Sequence, residues 1–553
     1  MRILLLLLVY IHLYSLTNEE AQLVYKANKK KIDKVSLDIK QKETYQANLK
    51  SQENKDKFFK MKKILIEEKI YVEECIEIDE IKIENSSIFV QKDLQDLTAP
   101  YLLNCTGIKN LNVLINKISN MYLDKGFITS RAYLKTQDLS SGIVTISILE
   151  GKVLNIKSDD LYLKNIYTSV EGELLNLREL ETGITQLERA RSNDIILQLK
   201  PASKMGYTDV FVKNKSKLLP FHASLSISNN GNEQTGKYPI NLSFTYDNLF
   251  GINDIVDFGF NSTNNISQDI NTIYGYNFAY GIPYGKSYTR FKFSTYEYSQ
   301  KILSHDDNDI TTEGSSRTYN LNYEYKLYHN KGESLNMNLS LGNTNVESSL
   351  KSILFDDTQI TVQSYISSNI AALLSYSYNK DNISLFTTFA MSKAISIMSA
   401  TTQESDIKYS LSQGYVTKLT EYLSTKFTST LNIQYTKPNK DGINQIGIGG
   451  SYSVRGFNNA GLSGYLGGYS RNEISIVTNL GIVNIHPYLG FDFGYIKEEE
   501  TTSSGTIAGF ALGSKITFFS NILNLSFSKA LKHTEETRLS DDSYFVASYT
   551  YIF

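Results

Sequence analysis

The chain has 553 residues, more than one ordinary domain needs, and the length prior points to about three or four units or to one large barrel with accessories. A formal net charge of -2 and a pI near 6.4 leave no global basic footprint for nucleic acid. The hydrophobic fraction of 41% and mean hydropathy of -0.26 look soluble, yet a membrane barrel has the same balance, because each strand gives half its residues to a wet lumen. Beyond the N-terminus there is no run of eighteen apolar residues, so helical membrane spans are excluded.

Met1-Arg2 followed by the apolar run Ile3 to Leu16 has the basic start and short core of a secretory signal peptide, residues 1–17, with cleavage near Ser15 to Thr17. A membrane anchor would need a longer run. Residues 18–63 are crowded with Lys, Glu, Gln and Asn and contain no Gly or Pro. Asn18 to Lys26 favours helix, and the rest reads as a polar linker. Such a segment is either a mobile tether or a helix that occupies a barrel lumen as a plug.

Residues 64–153 read as a compact α/β module. Ile76, Ile78, Ile81 and Ile83 mark a first strand region whose alternation slips by one residue at Asp79-Glu80, the mark of a bulge or tight turn. Leu111 to Tyr122 has helical spacing, Gly126 ends that helix, and two strands follow over 127–134 and 143–151. The two cysteines, Cys75 and Cys105, both lie near this module. In an exported chain a lone pair forms a disulfide more often than a metal site, and no His or further Cys lies nearby to complete a tetrahedron. The run YLDKGFITSRAYLKTQDLSSGIVTISILEGKV, with Tyr122, Gly126, Arg131, Gln137, Asp138, Glu150 and Gly151 at its motif positions, closely resembles the periplasmic POTRA domain of two-partner secretion transporters, the haemolysin secretion and activation family. Residues 154–216 repeat the logic: a strand near 153–156, helical patterns over 161–169 and 177–191, then strands at 195–200 and 208–213. This fits a second POTRA domain. Each module should leave a groove between a helix and an edge strand, which is a template for an incoming extended chain, and the resemblance assigns that groove to a secreted partner.

Residues 217–553 alternate between polar and apolar, as in Phe221, Ala223, Leu225 and Ile227 against His222, Ser224, Ser226 and Ser228. An antiparallel sheet with one wet face would alternate too. The number of segments argues instead for a transmembrane barrel of about sixteen antiparallel strands, preceded by the two α/β modules and the plug helix. With no Trp, the 39 Tyr and 26 Phe must supply the interfacial girdles that meet outer-membrane lipid. The end of the chain, with Tyr549, Tyr551 and Phe553 on the apolar face, resembles the signal read by the machinery that assembles outer-membrane barrels.

Within the barrel lies a glycine-rich stretch, Gly447 to Gly468, around Val454, Arg455, Gly456 and Phe457. Glycine lets a long loop fold back on itself, and an arginine inside the pore would need an anion on the wall. Asp492, followed by Gly494, is the candidate: Phe491 and Phe493 would face lipid, and alternation turns Asp492 inward. The competing reading makes Arg455 a solvated charge on an ordinary outer loop. The two stretches together resemble the inward loop and its strand partner in POTRA-bearing barrels, which implies an arginine–carboxylate contact. In a partly wet lumen it should position the loop more than stabilise the barrel.

No catalytic constellation is present: there is no GxSxG, no HExxH and no P-loop, and the six His show no metal spacing. No metal, cofactor, nucleic acid or enzymatic activity is expected. The acidic run Asp306-Asp307-Asn308-Asp309 reads as a solvated outer loop before it reads as a calcium site. The resemblance implies an outer-membrane transporter that captures a large unfolded β-rich exoprotein, of haemolysin or adhesin type, and threads it outward without ATP. A barrel-assembly module of the same superfamily is the alternative, and a passive porin or adhesin would not need POTRA-like modules.

Overall fold

The computed structural model describes residues 76–216, 218–231, 236–264, 272–303, 309–352, 359–380, 382–395, 407–420, 424–438, 445–457, 461–497, 505–534 and 543–553. The signal peptide, the plug helix with its linker, Cys75 and residues 306–308 of the acidic run lie outside the described residues.

In the first module β1 (Ile76–Glu77) pairs with β3 (Cys105–Thr106), while β2 (Glu80–Glu84) runs parallel to β5 (Ile143–Leu149) and β4 (Arg131–Leu134) antiparallel to it. The slip at Asp79-Glu80 is therefore a change of sheet: the chain leaves the β1–β3 ribbon there, and both amides bond to the Gly142 carbonyl at 2.8 and 3.2 Å. α1 (Ile108–Asp124) lays Leu111, Leu114, Ile118 and Tyr122 against Ile81, Val144 and Ile146 of the sheet. It ends in a Schellman turn, with Gly126 at φ 97° and bonds from Gly126 N to Leu123 O and from Phe127 N to Tyr122 O. Residues 127–130, expected as strand, instead turn, with Ile128 N on Gly126 O and Ser130 N on Phe127 O, so β4 starts only at Arg131.

The second module has the sheet order β6 (Lys152–Lys157), β8 (Tyr207–Asn214), β7 (Ile195–Pro201), covered by α2 (Leu177–Leu187). Asn176 caps α2 by accepting the Arg178 amide at 2.8 Å. Leu180, Ile184 and Leu187 pack on Val153, Ile195, Val210 and Val212. The helix expected over 161–169 does not form. Its backbone is spent elsewhere: the Asn165 carbonyl accepts from Gly285 N at 2.8 Å and the Tyr162 carbonyl from Asn253 Nδ2 at 2.6 Å, both in turns of the barrel.

The modules are joined closely. Leu177 N bonds to the Gly126 carbonyl and Leu175 N to the Gly151 carbonyl, each at 2.9 Å. A Cβ on Gly126 would meet Asn176 Oδ1, and one on Gly151 would meet Thr129, so both positions need glycine.

The barrel strands are β9 (Phe221–Ser228), β10 (Tyr238–Asp247), β11 (Ile255–Asn264), β12 (Thr272–Tyr284), β13 (Ser287–Leu303), β14 (Asp309–Asn330), β15 (Glu333–Ser352), β16 (Gln359–Lys380), β17 (Ile383–Ile395), β18 (Ile407–Thr420) and β19 (Thr425–Tyr435). A short ribbon of β20 (Ile446–Ile448) and β21 (Leu462–Gly464) interrupts them before β22 (Leu466–Ile476), β23 (Thr478–Leu480), β24 (Val483–Lys497), β25 (Gly505–Phe518), β26 (Asn521–Lys532) and β27 (Ser543–Ile552). β27 pairs with β9 and closes the cylinder. β22 and β23 both pair with β24, so they form one interrupted strand and the barrel has sixteen. Every pairing in it is antiparallel and joins neighbours in the chain, apart from the closing pair and the detour through β20 and β21. Alternation puts Phe221, Leu225, Phe244 and Phe545 outside and serines, threonines and asparagines inside. At the chain end Tyr551 packs edge-on against Phe553 at 4.6 Å, and Phe553 N bonds to the Ala223 carbonyl at 2.9 Å.

The second module sits against the barrel's end turns. Asn165 Nδ2 donates to the Ile252 and Pro283 carbonyls at 2.6 and 3.1 Å, and its Oδ1 accepts from Asn253 Nδ2 at 3.0 Å. Gln186 donates to the Ser287 carbonyl, Ser192 N to Asp247, and Arg189 reaches Glu324 at 2.5 Å across the Tyr288 ring. The exposed pair Lys286–Glu179 rims the contact at 3.3 Å, and Lys331 reaches Asp124 at the end of α1 in the first module at 3.1 Å.

Candidate functional site

The connection from β19 to β22 leaves from the barrel end opposite the modules and folds back inside. Gly449, Gly450 and Gly456 have φ of 100°, 115° and 99°, values that only glycine adopts without strain, and they let the tip reverse direction. Ser453 Oγ accepts the Gly449 amide at 2.9 Å and Gly450 N donates to the Val454 carbonyl at 3.0 Å, closing the turn. Ile446, Ile448, Val454, Phe457 and Leu462 then bury themselves against Tyr469, Ile496 and Ile507 of the wall. That apolar cluster excludes water from the arginine beside it.

Arg455 is 3% exposed and Asp492 is fully buried. Nε donates to Asp492 Oδ2 at 2.6 Å and Nη2 to Oδ1 at 2.7 Å, a bidentate fork, while the Arg455 backbone amide donates to Oδ2 at 3.1 Å. Nη1 donates to Glu473 Oε1 at 2.6 Å. Arg471 reaches the same Glu473 oxygen at 3.2 Å and donates to the Ser451 carbonyl at 2.6 Å, so a second arginine ties the wall to the loop. Two arginines thus face two carboxylates and the cluster is neutral, the condition under which buried charges are tolerated.

The wall under this cluster lacks side chains. A Cβ on Gly490 would strike the Arg455 guanidinium, and one on Gly509 would fall on the Arg455 carbonyl oxygen. A Cβ on Gly494 would crowd Val454 and Ile448, and one on Gly456 the backbone of Lys529 and Ala530. The loop lies flat on the inside of β24, β25 and β26 because these positions have no Cβ. Its tip also touches the closing seam: Asn230 Nδ2 donates to the Tyr452 hydroxyl at 2.9 Å, and Ser451 Oγ lies 3.3 Å from the Tyr544 hydroxyl.

The sequence singled out Val454, Arg455, Gly456, Phe457, Asp492 and Gly494, and all six lie in this one contact. Reading the chain did not find Glu473, Arg471, Gly509 or Tyr452. Tyr469, Arg471 and Glu473 share the inward face of β22, and two opposite charges on an otherwise uncharged strand face were the available signal.

In the first module the Tyr122 hydroxyl donates to Glu150 Oε1 at 3.0 Å, and Glu150 also accepts from Ser87 N, Ser87 Oγ and Ile88 N at 2.7, 2.6 and 3.2 Å. Burial raises the Tyr122 hydroxyl above its ordinary pKa. Gln137 substitutes for a strand by pairing both amide atoms with the Thr145 backbone at 2.7 and 2.8 Å. Asp138 accepts the Ser140 amide, which holds its carboxyl below the usual range. Arg131 donates to the Ile128 and Ser130 carbonyls. Gly126 and Gly151 form the joint between modules. Cys105 is disulfide-bonded. Among the described residues no group of three or more His, Cys, Asp or Glu could hold a metal ion.

A family model described as haemolysin secretion/activation protein ShlB/FhaC/HecB matches residues 206–516, more than half of the chain. Models for the ShlB-type POTRA domain and for a POTRA domain match residues 76–151 and 145–201. The chain is 29% identical over 416 residues to the outer membrane transporter CdiB of Dickeya dadantii, covering 72% of each protein. It is 23% identical over 505 residues to the hemolysin transporter protein ShlB of Serratia marcescens, covering 87% of this chain and 86% of that one. In fold it is similar to CdiB from Escherichia coli, with a TM-score of 0.83 at 20% identity over 98% of this chain and 99% of that chain.

Proposed function

The chain belongs to the haemolysin secretion/activation family of outer-membrane transporters, and from that premise we propose that it exports one large, unfolded, β-rich partner protein to the cell surface. The observation that carries the reading is the neutral Arg455–Asp492–Glu473–Arg471 cluster, which holds a loop inside a closed barrel whose other end bears two α/β modules. A passive pore has no need of such a held obstruction or of modules docked at its mouth.

In this mechanism an extended segment of the partner adds as a strand to a free sheet edge of a module, where main-chain hydrogen bonds supply affinity. The segment 18–63, expected from the sequence as the plug, leaves the pore, and the partner threads outward past the loop as Arg455 keeps the loop against the wall. No ATP takes part. Folding of the cargo outside biases the movement by removing extended chain from the pore. Tyr549, Tyr551 and Phe553 serve earlier, when the assembly machinery inserts the barrel into lipid.

Single-channel conductance of the purified protein in a planar bilayer, full length against a variant lacking residues 18–63, tests the plug. Low, flickering conductance that becomes large and steady on truncation is expected; equal, steady conductance removes the plug. Secretion of the partner from cells carrying Arg455→Ala or Asp492→Ala tests the loop. Both should fall together by at least tenfold, and intact secretion in one with loss in the other would show that the two do not act as a pair. A transporter that leaves its partner inside but still inserts other barrels would support the assembly reading instead.

A further inference from the structure

The lipid face of the barrel is apolar on most strands, as with Ile240, Leu242 and Phe244 on β10 or Leu489, Phe491 and Phe493 on β24. The sector of β17, β18, β19 and β22 carries several polar residues on this face. Register pairs Thr387 with Gln413, Gln413 with Leu431 and Leu431 with Ser470; in the next row Tyr415 faces Ser429 and Ser429 faces Asn472. Each of these residues alternates in step with the exposed Phe389, Tyr409, Ile433 and Ile474 of its own strand, so Thr387, Gln413, Ser429, Ser470 and Asn472 point outward. On β17, β18 and β19 they are bracketed by apolar neighbours, Phe389, Leu411 and Leu431 on one side and Leu385, Tyr415 and Phe427 on the other. The patch therefore lies between apolar and aromatic residues on both sides.

Part of the patch is satisfied within the chain. Ser429 Oγ donates to Asn472 Oδ1 at 2.7 Å, and Asn472 Nδ2 donates to Ser470 Oγ and the Phe491 carbonyl at 3.1 and 3.0 Å. Thr387 and Gln413 make no side-chain hydrogen bond among the described residues. An amide facing hydrocarbon without a partner is unfavourable, and within a membrane such groups find partners on a neighbouring protein.

We propose that this sector of β17, β18, β19 and β22 is the contact surface of a homodimer in the outer membrane. A second copy inserts with the same orientation and depth, so a twofold axis along the membrane normal brings patch to patch at one level. The patch is uncharged, and each amide and hydroxyl both donates and accepts, so it is complementary to itself. Gln413 lies in its middle and pairs with the Gln413 amide of the second copy. The contact is independent of what the pore transports.

The test is cross-linking in native outer membranes with Gln413→Cys in the full chain, against Phe258→Cys on β11 across the barrel. Oxidation should give a band at twice the mass of the mature chain for the first position and none for the second. In lipid discs the double variant Gln413→Leu with Thr387→Val should lose at least tenfold of the dimer, while heat-modified electrophoretic mobility, which reports barrel folding, stays that of the parent. A cross-link to a protein of another mass, a monomeric parent with no band, or a dimer that survives the double variant would each overturn the proposal.

Discussion

The inward loop and the second module both attach to the barrel, the loop through one concentrated charge cluster and the module through contacts spread over many groups. The loop is held chiefly by the Arg455 guanidinium, 3% exposed, seated in a glycine-lined patch and sealed by Val454 and Phe457, with Arg471 tying its tip to the wall. The module is held by a spread of amide contacts through Asn165, Asn253 and Gln186, by the buried Glu181 carboxylate 3.4 Å from His329 Nε2 of the barrel, and by partly exposed ion pairs around them. A contact concentrated in one buried charge breaks nearly all at once, since removing a partner strands the other charge in low dielectric. A contact spread over many weak groups loosens by degrees. The first arrangement suits a part that must be held or released, and the second a part that must stay put while a cargo pulls on it.

The comparison can be broken at its strongest point. Arg455→Ala leaves Asp492 buried without its cation and should cost loop docking about 3–5 kcal/mol, seen as cleavage of the loop by added protease in a barrel that still shows normal heat-modified mobility. Asp492→Asn should match it within error. Gly509→Ala comes next: its methyl must displace the Arg455 carbonyl, and the resulting strain of about 1–3 kcal/mol should give partial cleavage under the same assay. At the junction Asn165→Ala strands the Ile252 and Pro283 carbonyls and should cost about 1–3 kcal/mol, read as faster hydrogen exchange in residues 248–254. Lys286→Ala removes an exposed pair worth about 0–1 kcal/mol, so exchange there should hardly change. Raising salt from about 0.1 M to 1 M shortens the screening length from about 10 to 3 Å, which should mimic Lys286→Ala at the rim and leave the Arg455 contact unaffected.

Much of the fold was legible in the chain because it rests on local periodicity. Alternation over Phe221 to Ser228 or Leu335 to Leu341 marks a two-faced strand wherever it occurs, and about ten residues per segment sets the strand number. The helix of the first module was legible from Leu111, Leu114, Ile118 and Tyr122. Where the expectation departed from the structure, a distant partner had intervened. Residues 161–169 carry a helical pattern, but Tyr162 and Asn165 give their backbone to Asn253 and Gly285, in barrel turns far along the chain. The slip at Asp79-Glu80 marks a change of sheet set by Gly142, far along the chain.

The same division runs through the site. By itself the chain determined which residue types were available and which face each strand residue takes: alternation orients Asp492 inward between Phe491 and Phe493, and glycines at 449, 450 and 456 permit a reversal. Only the tertiary structure decided which groups meet. That Glu473 and Arg471 join the Arg455 cluster, and that Gly509 on the next strand leaves room for its carbonyl, follows from the pairing of β22 with β24 and of β24 with β25. Periodicity is a property of neighbours along the chain, whereas a buried charge cluster depends on register between strands that only closure of the barrel brings together.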